Sequence, residues 1–273
     1  MVSLIPGSTG LSRPGRAAHS VGPMTTDSKV ALITGANKGI GFETARQLSA
    51  TGMTVLIGAR DEKRGLAAEE ALRGGAAERR YVPLDVASEE SARDAAAGVD
   101  AEYGRLDVLV NNAAITGGSR ALPSQTPLEI MREVYETNVF GVINVTNAFL
   151  PLLRKAAAGR IVNVSSEVGS ITLRSDPDSP MAQMPPSLPY TSSKTALNMV
   201  TLMYARELAG TPIKVNAANP GYAATDLNGN SGFRTAAEGA EVSVHLATLP
   251  DDGPTGVFWG YQWGPGGYGA LPW

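Results

Sequence analysis

Residues 34–41 read Thr-Gly-Ala-Asn-Lys-Gly-Ile-Gly and directly follow the apolar run Val-Ala-Leu-Ile at residues 30–33. This order predicts a short buried strand, a glycine-rich turn and a helix that begins near Ile40. Gly35 permits a tight reversal, while Gly39 and Gly41 let the backbone and a helix N-terminus approach a pyrophosphate closely. The spacing differs from the usual Gly-x-Gly-x-x-Gly dinucleotide fingerprint, so a purely structural glycine turn stays open at this point.

The rest of the chain alternates short apolar strands with amphipathic helices. Strands are predicted at residues 29–33, 54–59, 80–84, 106–110, 160–164, 214–218 and 257–260. A capping box is predicted at residues 126–129, where it opens helical sequence to about Lys155, and residues 174–187 are predicted to form an insertion-like loop. The alternation predicts one α/β domain over residues 29–273, with a doubly wound parallel sheet covered by helices on both faces.

The bulk composition excludes several classes of function. The net charge of −3 over 273 residues gives no reason to expect a nucleic-acid or membrane partner. The sequence has no Cys and only two His, which argues against disulfides, thiolate chemistry and a Cys- or His-based metal site. Residues 1–28 predict a disordered extension with Met24 as the true start. No apolar segment there resembles a secretory signal, and we expect a cytoplasmic protein.

Tyr190 and Lys194 lie four positions apart, so a helix would place both side chains on one face. An ammonium group beside a phenol favours the phenolate, and we expect it to lower the pKa of Tyr190. A phenol tuned in this way could act as a general acid or base near neutral pH. Taken alone, the pair is a weak signal that occurs often by chance, and a solvated helix face is the more common explanation.

Polar side chains follow several of the predicted strands, at Asn111–Ala114, at Ser165 and Ser166, and at Asn219–Gly221. Ligands of open parallel sheets bind beyond the carboxyl ends of the strands, so these groups are expected near a ligand. A serine hydroxyl there could hydrogen-bond a substrate carbonyl, and a Ser pair that only stabilises a turn is the alternative. Asn138 lies in a helical stretch despite its poor helix propensity, which indicates a local purpose.

Together these motifs resemble the short-chain dehydrogenase/reductase family. The resemblance runs from about Lys29 to Gly260 and keeps the family order of the glycine turn, Asp85, residues 111–114, Asn138, Ser166, Tyr190 with Lys194, and residues 220–221. Within the family, the glycine turn and residues 59–61 and 106–113 are similar to the carbonyl-reductase branch.

The resemblance implies a seven-stranded Rossmann-type sheet and four catalytic residues. Ser166 matches the serine that orients the carbonyl, Tyr190 the proton donor, and Lys194 the residue that lowers the tyrosine pKa and holds the nicotinamide ribose. Asn138 matches the residue that anchors a water molecule in a proton relay to Lys194. The residues expected to contact the cofactor are Gly35, Asn37, Lys38, Gly39, Ile40, Gly41, Arg60, Asp85, Val86, Asn112, Ala113, Ala114, Tyr190, Lys194, Pro220, Gly221 and Thr225.

Two features depart from the family pattern. The Asn-Asn-Ala-Gly motif ends here in Ala114, which is a small change. Ser166 and Tyr190 are 24 positions apart, where the family commonly has about 13, and residues 177–189 are expected beside the substrate mouth. Because that region neighbours a dimer surface in the family, the choice between a monomer and a homo-oligomer stays open.

The end of the second strand indicates the cofactor. An acidic residue there would favour NAD, whereas this strand is followed by Arg60, and Lys38 lies in the glycine turn. Both cations can converge on a 2′-phosphate, and Arg can bind it bidentately, so we expect NADP(H). NAD stays the alternative cofactor for two reasons. Asp61 is an acidic residue directly after Arg60, and both cations could be no more than solvated surface charges.

We therefore expect an NADPH-dependent enzyme that reduces a small ketone or aldehyde to an alcohol. A 3-oxoacyl-[acyl-carrier-protein] reductase is one alternative, and it would need a basic surface near the mouth of the site. A catalytically idle NADP-binding regulator is the other, and it would be expected to lack Tyr190 or Lys194. The pocket is expected to be lined by residues 167–188 and 222–233, whereas the aromatic segment 258–263 is expected to pack internally.

Overall fold

The computed structural model describes residues 28–74, 77–118, 121–263 and 266–273. The predicted N-terminal extension, including Met24, lies outside the described residues except for Ser28. The Ser28 hydroxyl donates a hydrogen bond to the carbonyl of Gly52 at 2.8 Å, so this residue is part of the folded domain. Among the described residues, no helix combines the length and the apolar character that crossing a bilayer requires.

One sheet of eight strands forms the centre of the domain. The strands are β1 (Val30–Thr34), β2 (Thr54–Ala59), β3 (Arg79–Pro83), β4 (Val108–Asn111), β5 (Arg160–Val164), β6 (Lys214–Asn219), β7 (Phe258–Gln262) and β8 (Gly267–Ala270). Their spatial order is β3-β2-β1-β4-β5-β6-β7-β8. The first seven strands are parallel, as predicted, and the eighth pairs with β7 in the antiparallel direction. The sequence of β8, Gly-Tyr-Gly-Ala, gives no strand signal because glycine is depleted in strands.

Helices cover both faces of the sheet. They are α1 (Gly39–Ala50), α2 (Glu62–Ala71), α3 (Glu89–Tyr103), α4 (Leu128–Tyr135), α5 (Gly141–Leu153), α6 (Ile171–Ser175), α7 (Leu188–Glu207) and α8 (Ala236–Ala247). Alternate residues of β1 enter two separate cores. Leu32 packs in the core that contains Phe149 of α5, and Ile33 packs in the core that contains Leu48 of α1. A strand covered on both faces must be apolar throughout, which is why β1 shows no polar alternation.

Two local predictions are wrong. The predicted capping box at residues 126–129 does not form, because α4 begins at Leu128 with Pro127 at its N-cap and no capping side chain. The Thr126 hydroxyl instead donates to the carbonyl of Leu122 in the preceding short 3₁₀ turn. The predicted loop at residues 174–187 also contains the end of α6 and a 3₁₀ turn at Pro180–Gln183.

The glycine turn between β1 and α1 needs its glycines for internal packing as well as for conformation. Gly35 and Gly39 have φ angles of 64° and 57°, in the left-handed region. Gly41 is helical, but a Cβ there would lie 2.4 Å from Nδ2 of Asn112 and 2.6 Å from the carbonyl oxygen of Gly35. The missing side chain therefore lets the end of β4 pack directly against the turn.

We expect Gly41→Ala to destabilise the protein by about 1–3 kcal/mol, because Asn112 is hydrogen-bonded to the carbonyls of Thr34 and Gly35 and has little freedom to move away. Gly98→Ala is the matched control, since a Cβ at this exposed position of α3 has no neighbour within 4 Å. Replacing that helical Gly by Ala should stabilise the protein by about 0.5–1 kcal/mol. Urea unfolding measures both changes, and two variants of equal stability would contradict the packing argument.

Candidate active site

A cavity of about 260 Å³ opens beyond the carboxyl ends of β4, β5 and β6. It lies where the strand order reverses between β1 and β4, the position at which open α/β sheets bind ligands. The predicted site residues that line it are Ile40, Asn112, Ala114, Ser166, Tyr190, Lys194, Pro220, Gly221 and Thr225. The remaining predicted residues, Asn138 among them, do not line it.

The ends of β1 and β4 are joined by hydrogen bonds below the cavity. The Thr34 hydroxyl accepts from the backbone N–H groups of Asn112 and Ala113 at 2.9 and 3.0 Å. The Asn112 side chain donates in return to the carbonyl of Thr34 at 2.9 Å. These bonds make the glycine turn and residues 112–114 one rigid wall.

The N-terminus of α1 points to anion binding. Lys38 occupies the N-cap position in an extended conformation, and neither its side chain nor an acidic residue in the first turn caps the helix. Ile40, in that first turn, lines the cavity. Because the first amide groups of a helix lack internal acceptors and carry the positive end of the dipole, this terminus suits a phosphate group.

The two serines after β5 have different partners. Ser165 is 2% exposed, and its hydroxyl donates to Oδ1 of Asn198 on α7 at 2.5 Å. Ser166 is partly exposed to the cavity and hydrogen-bonds the phenol of Tyr190. Ser165 therefore fastens α7 to the sheet, and Ser166 is the serine that can meet a ligand.

Tyr190 and Lys194 lie on the side of α7 that faces the cavity, with the Lys194 Nζ 5.5 Å from the centre of the Tyr190 ring. The Lys194 ammonium donates to the carbonyl of Val164 at 2.7 Å. Burial raises the pKa of Tyr190 to about 12, although the hydrogen bond to Ser166 lowers it in part. Burial also lowers the pKa of Lys194 to about 7.

These shifts run against the expected lowering of the Tyr190 pKa by its neighbour. The expectation considered only the attraction between an ammonium and a phenolate, whereas desolvation disfavours the charged form of both groups. At neutral pH the phenol consequently keeps its proton, which is the state required of a proton donor.

Asn138 lies in a π-helical segment, Glu136–Phe140, that separates α4 from α5. Its Oδ1 accepts from the backbone N–H of Ile115, and its Nδ2 donates to the Ile115 carbonyl and to the Ser193 hydroxyl, all within 3.0 Å. Both amide hydrogens are thus committed to protein atoms. The side chain joins the segment after β4 to α7, and its amide hydrogens are not free to bind a water molecule.

The predicted adenine contacts, Asp85 and Val86, do not line the cavity. Asp85 uses Oδ1 to accept from the backbone N–H of Ala87 at 3.1 Å. Val86 is buried against Gly141, so closely that a Cβ on Gly141 would lie 2.9 Å from Cγ2 of Val86. The other predicted contacts outside the lining are Gly35, Asn37, Lys38, Gly39, Gly41, Arg60 and Ala113.

The two cations predicted to bind a phosphate differ in their surroundings. Lys38 forms an ion pair with Asp226 at 2.9 Å, with both side chains more than half exposed. Arg60 is exposed after β2 and makes no hydrogen bond or ion pair within the described part of the chain. Asp61 caps α2 by accepting from the backbone N–H of Arg64 at 2.9 Å, so this carboxylate is already engaged.

Residues 167–188 and 222–233 were expected to line the pocket, and both stretches do. The first contributes Glu167 and Arg174 among others, and the second contributes Tyr222 among others. Trp263 lines it too, although the aromatic segment 258–263 was predicted to pack internally. Trp259 in that segment does pack, stacking against His245 at 4.2 Å between ring centres. The sequence signal for Trp263 is its position just after the end of a strand.

A family model described as short chain dehydrogenase matches residues 29–234. The chain belongs to the short-chain dehydrogenase family. This family consists of oxidoreductases that use a nicotinamide cofactor, and the order of motifs in the sequence agrees with it.

Individual members of the family are similar over most of the chain. The short-chain dehydrogenase anuI of Penicillium roqueforti is 41% identical, over 80% of this chain and 87% of the relative. Carbonyl reductase [NADPH] 1 of Sus scrofa is 35% identical, over 86% of this chain and 93% of the relative. The solved structure of salutaridine reductase from Papaver somniferum is 30% identical, with a TM-score of 0.71 over 84% of this chain and 99% of that one.

In this short-chain dehydrogenase the long segment between Ser166 and Tyr190 is folded against the cavity. Arg174 of α6 donates hydrogen bonds to the backbone carbonyls of Met181 and Met184. Met181 is buried, and Met184 lines the cavity. The additional residues therefore form one wall of the site.

The two serines should respond differently to truncation. We expect Ser165→Ala to lower stability by about 1–3 kcal/mol, because it leaves the buried Asn198 carbonyl without its donor, and to change turnover little. Ser166→Ala should leave stability unchanged and lower turnover about 10²-fold, the typical cost of losing one donor to a developing oxyanion. Thermal unfolding and steady-state kinetics separate the effects, and the reverse pattern would mean that Ser165 is the reactive serine.

Proposed function

We propose that this protein is an NADPH-dependent carbonyl reductase that converts a small ketone or aldehyde into an alcohol. The observation that carries the proposal is the meeting of three groups on one wall of the cavity: the Ser166 hydroxyl, the protonated Tyr190 phenol and the Lys194 amine. The carbonyl reductase of Sus scrofa, whose name specifies NADPH, supports the same assignment.

The residues around the cavity fit a nicotinamide dinucleotide. The uncapped N-terminus of α1 offers amide donors to a pyrophosphate, and the left-handed φ angles of Gly35 and Gly39 shape the turn that would lie against it. Lys194 and Tyr190 would hold the nicotinamide ribose. When bound, the reduced nicotinamide supplies the hydride that the carbonyl carbon accepts.

The protein's own residues would orient the carbonyl and transfer the proton. In this proposal Ser166 donates a hydrogen bond to the carbonyl oxygen. Tyr190, whose raised pKa keeps it protonated at neutral pH, then gives its proton to the same oxygen. Lys194, whose pKa is lowered to about 7, can exchange a proton with solvent and return one toward Tyr190. The backbone carbonyl of Asn138 would anchor the water of that relay.

The proposed preference for NADP(H) rests on Arg60, Lys38 and Asp61. Arg60 is exposed where the second strand ends, and Asp61 already caps α2. The ion pair of Lys38 with Asp226 is exposed to solvent and therefore screened by salt, so a doubly charged phosphate can displace the carboxylate. Asp85 and Val86 would contact the adenine.

The two alternative functions predict different properties. A 3-oxoacyl-[acyl-carrier-protein] reductase needs basic side chains free at the mouth, whereas Arg174 is bound to backbone carbonyls and Lys38 to Asp226. An idle NADP-binding regulator would bind the cofactor and reduce no carbonyl in a panel of aldehydes, ketones and quinones. A small-molecule substrate and a cytoplasmic location remain part of the proposal, and gel filtration would distinguish a monomer from a homo-oligomer.

Tyr190→Phe should lower carbonyl turnover about 10²–10⁴-fold, the usual contribution of general acid catalysis, because it removes only the transferable proton. Cofactor affinity should stay nearly unchanged, since the ring and its packing remain. Loss of reduced-nicotinamide absorbance measures turnover, and fluorescence titration measures affinity. A variant that keeps half of its turnover would disprove the assignment of the proton donor.

Arg60→Asp should invert the cofactor preference. Losing a hydrogen bond to a charged group should raise the dissociation constant of NADPH about 10- to 150-fold, and repulsion from the new carboxylate adds to that. NADH should bind equally well or better, because a carboxylate can accept from the ribose hydroxyls. Lys38→Ala should act in the same direction but less, since Lys lacks the planar fork of Arg.

The matched control for these variants is Lys214→Asp, at the amino end of β6 and thus on the opposite edge of the sheet. It makes a comparable change in net charge and should leave both affinities unchanged. If the unmodified protein binds NADH as tightly as NADPH, Arg60 is only a surface charge.

A further inference from the structure

Glu167 is a charged residue in an unusual place. It follows Ser166 directly, begins the 3₁₀ turn Glu167–Gly169, and lines the cavity, yet only 5% of its surface is exposed. A buried carboxylate is costly unless it is paired or well hydrogen-bonded. The proton transfer proposed for the site does not use it.

The partners of the Glu167 carboxyl are neutral. Oε2 accepts from the backbone N–H of Trp263 at 3.3 Å, and the side-chain amide of Asn219 supplies a second hydrogen bond. Burial raises the pKa of Glu167, and these two hydrogen bonds offset the rise only in part. Among the described residues, no Lys or Arg comes within ion-pair distance of this carboxyl.

The two cations that line the same cavity are bound to backbone carbonyls instead. Arg174 donates to the carbonyls of Met181 and Met184, and Lys194 donates to that of Val164. Neither side chain forms an ion pair with Glu167, although both line the same cavity. Among the described residues, this carboxyl group therefore has no directly paired cation.

The aromatic residues Tyr222 and Trp263 line the same cavity as Glu167. Trp263, whose backbone N–H binds Glu167, is 39% exposed and has its ring 5.0 Å from that of Phe233 and 6.2 Å from that of Tyr222. Phe233 is 54% exposed. Aromatic faces attract cations, most strongly where water is excluded, so this aromatic wall and the carboxylate favour the same kind of ligand.

We propose that Glu167 is a specificity-determining residue, and that the substrate is a carbonyl compound carrying a positively charged nitrogen. The ammonium group would lie between the Glu167 carboxylate and an aromatic wall in which Tyr222 and Trp263 line the cavity and Phe233 packs against both of their rings. Since Glu167 adjoins Ser166 in the chain, the charge would sit close to the reacting carbonyl. This inference rests on the proposed reductase function and specifies its substrate class.

A pair of ketones of equal shape tests the charge alone. N,N-dimethyl-4-oxopiperidinium is a permanent cation, and 4,4-dimethylcyclohexanone is its uncharged counterpart. We expect kcat/KM of the unmodified enzyme to favour the cation at least about tenfold. Glu167→Gln keeps the size and the hydrogen bond to Trp263, and should lower that preference about 10- to 100-fold, so that kcat/KM falls much further for the cation than for the neutral ketone.

Asp178→Asn is the matched control, because it removes one carboxylate from an exposed position in the segment between α6 and α7. It should leave the preference for the cation unchanged. An equal loss in both variants would indicate long-range attraction rather than contact, and would overturn the proposal. If Glu167→Gln lowers kcat/KM equally for both ketones, Glu167 has a purely structural role, and the proposal is overturned as well.

A binding measurement separates this inference from the proposed function. Calorimetric titration of the oxopiperidinium into the enzyme with oxidised NADP needs no turnover. If Glu167→Gln weakens binding of the oxopiperidinium about 10- to 100-fold, cation recognition is supported, whether or not either ketone is reduced. If neither ketone is reduced, that result counts against the proposed reductase function. Reduction of both ketones with equal efficiency, and no Glu167-dependent binding, would keep the reductase and overturn cation recognition.

Discussion

The hydrogen bonds that attach α7 to the sheet determine where Tyr190 and Lys194 lie. The buried residues in the middle of this helix include Ser193, Lys194, Asn198 and Thr201. Asn163 of β5 donates to the Thr201 hydroxyl at 2.9 Å, and Ser165 donates to Asn198. Because an unmade buried hydrogen bond costs about 1–3 kcal/mol, the register that satisfies all of them is strongly favoured over its neighbours. Tyr190 and Lys194 are carried into the cavity by that register.

The same helix is approached closely from two other directions. A Cβ on Gly169 would lie 2.7 Å from the backbone of Lys194, so the turn after β5 can touch α7 only because this residue is Gly. On the other side, Asn138 links Ile115 to Ser193, and the π-helical segment provides the irregular backbone that places its side chain there. Irregular helix geometry of this kind commonly marks a functional position.

Much of the fold follows from local sequence, and the exceptions have physical causes. Strands such as β2 and β5 are predicted at their observed bounds because a strand buried on both faces is a short apolar run. The short β8 carries no such signal and depends on pairing with β7. The pKa of Tyr190 was expected to fall and instead rises, because the extent of burial is a property of the packed molecule. Likewise, a sequence cannot show that Glu167 is enclosed without a cation beside it.

Three consecutive residues after β5, Ser165, Ser166 and Glu167, make different contacts. All three residues line the cavity, but the Ser165 hydroxyl is already hydrogen-bonded to Asn198 of α7, whereas Ser166 is partly exposed to the cavity. The 3₁₀ turn that begins at Glu167 ends the alternation of the strand, which is why two neighbouring side chains can face the same space. Ser165 attaches the helix, whereas the proposed contact with a carbonyl and the proposed charge of the wall belong to Ser166 and Glu167. A substitution at residue 167 can therefore test the proposed substrate preference while the hydrogen bonds that place Ser166 and α7 stay intact.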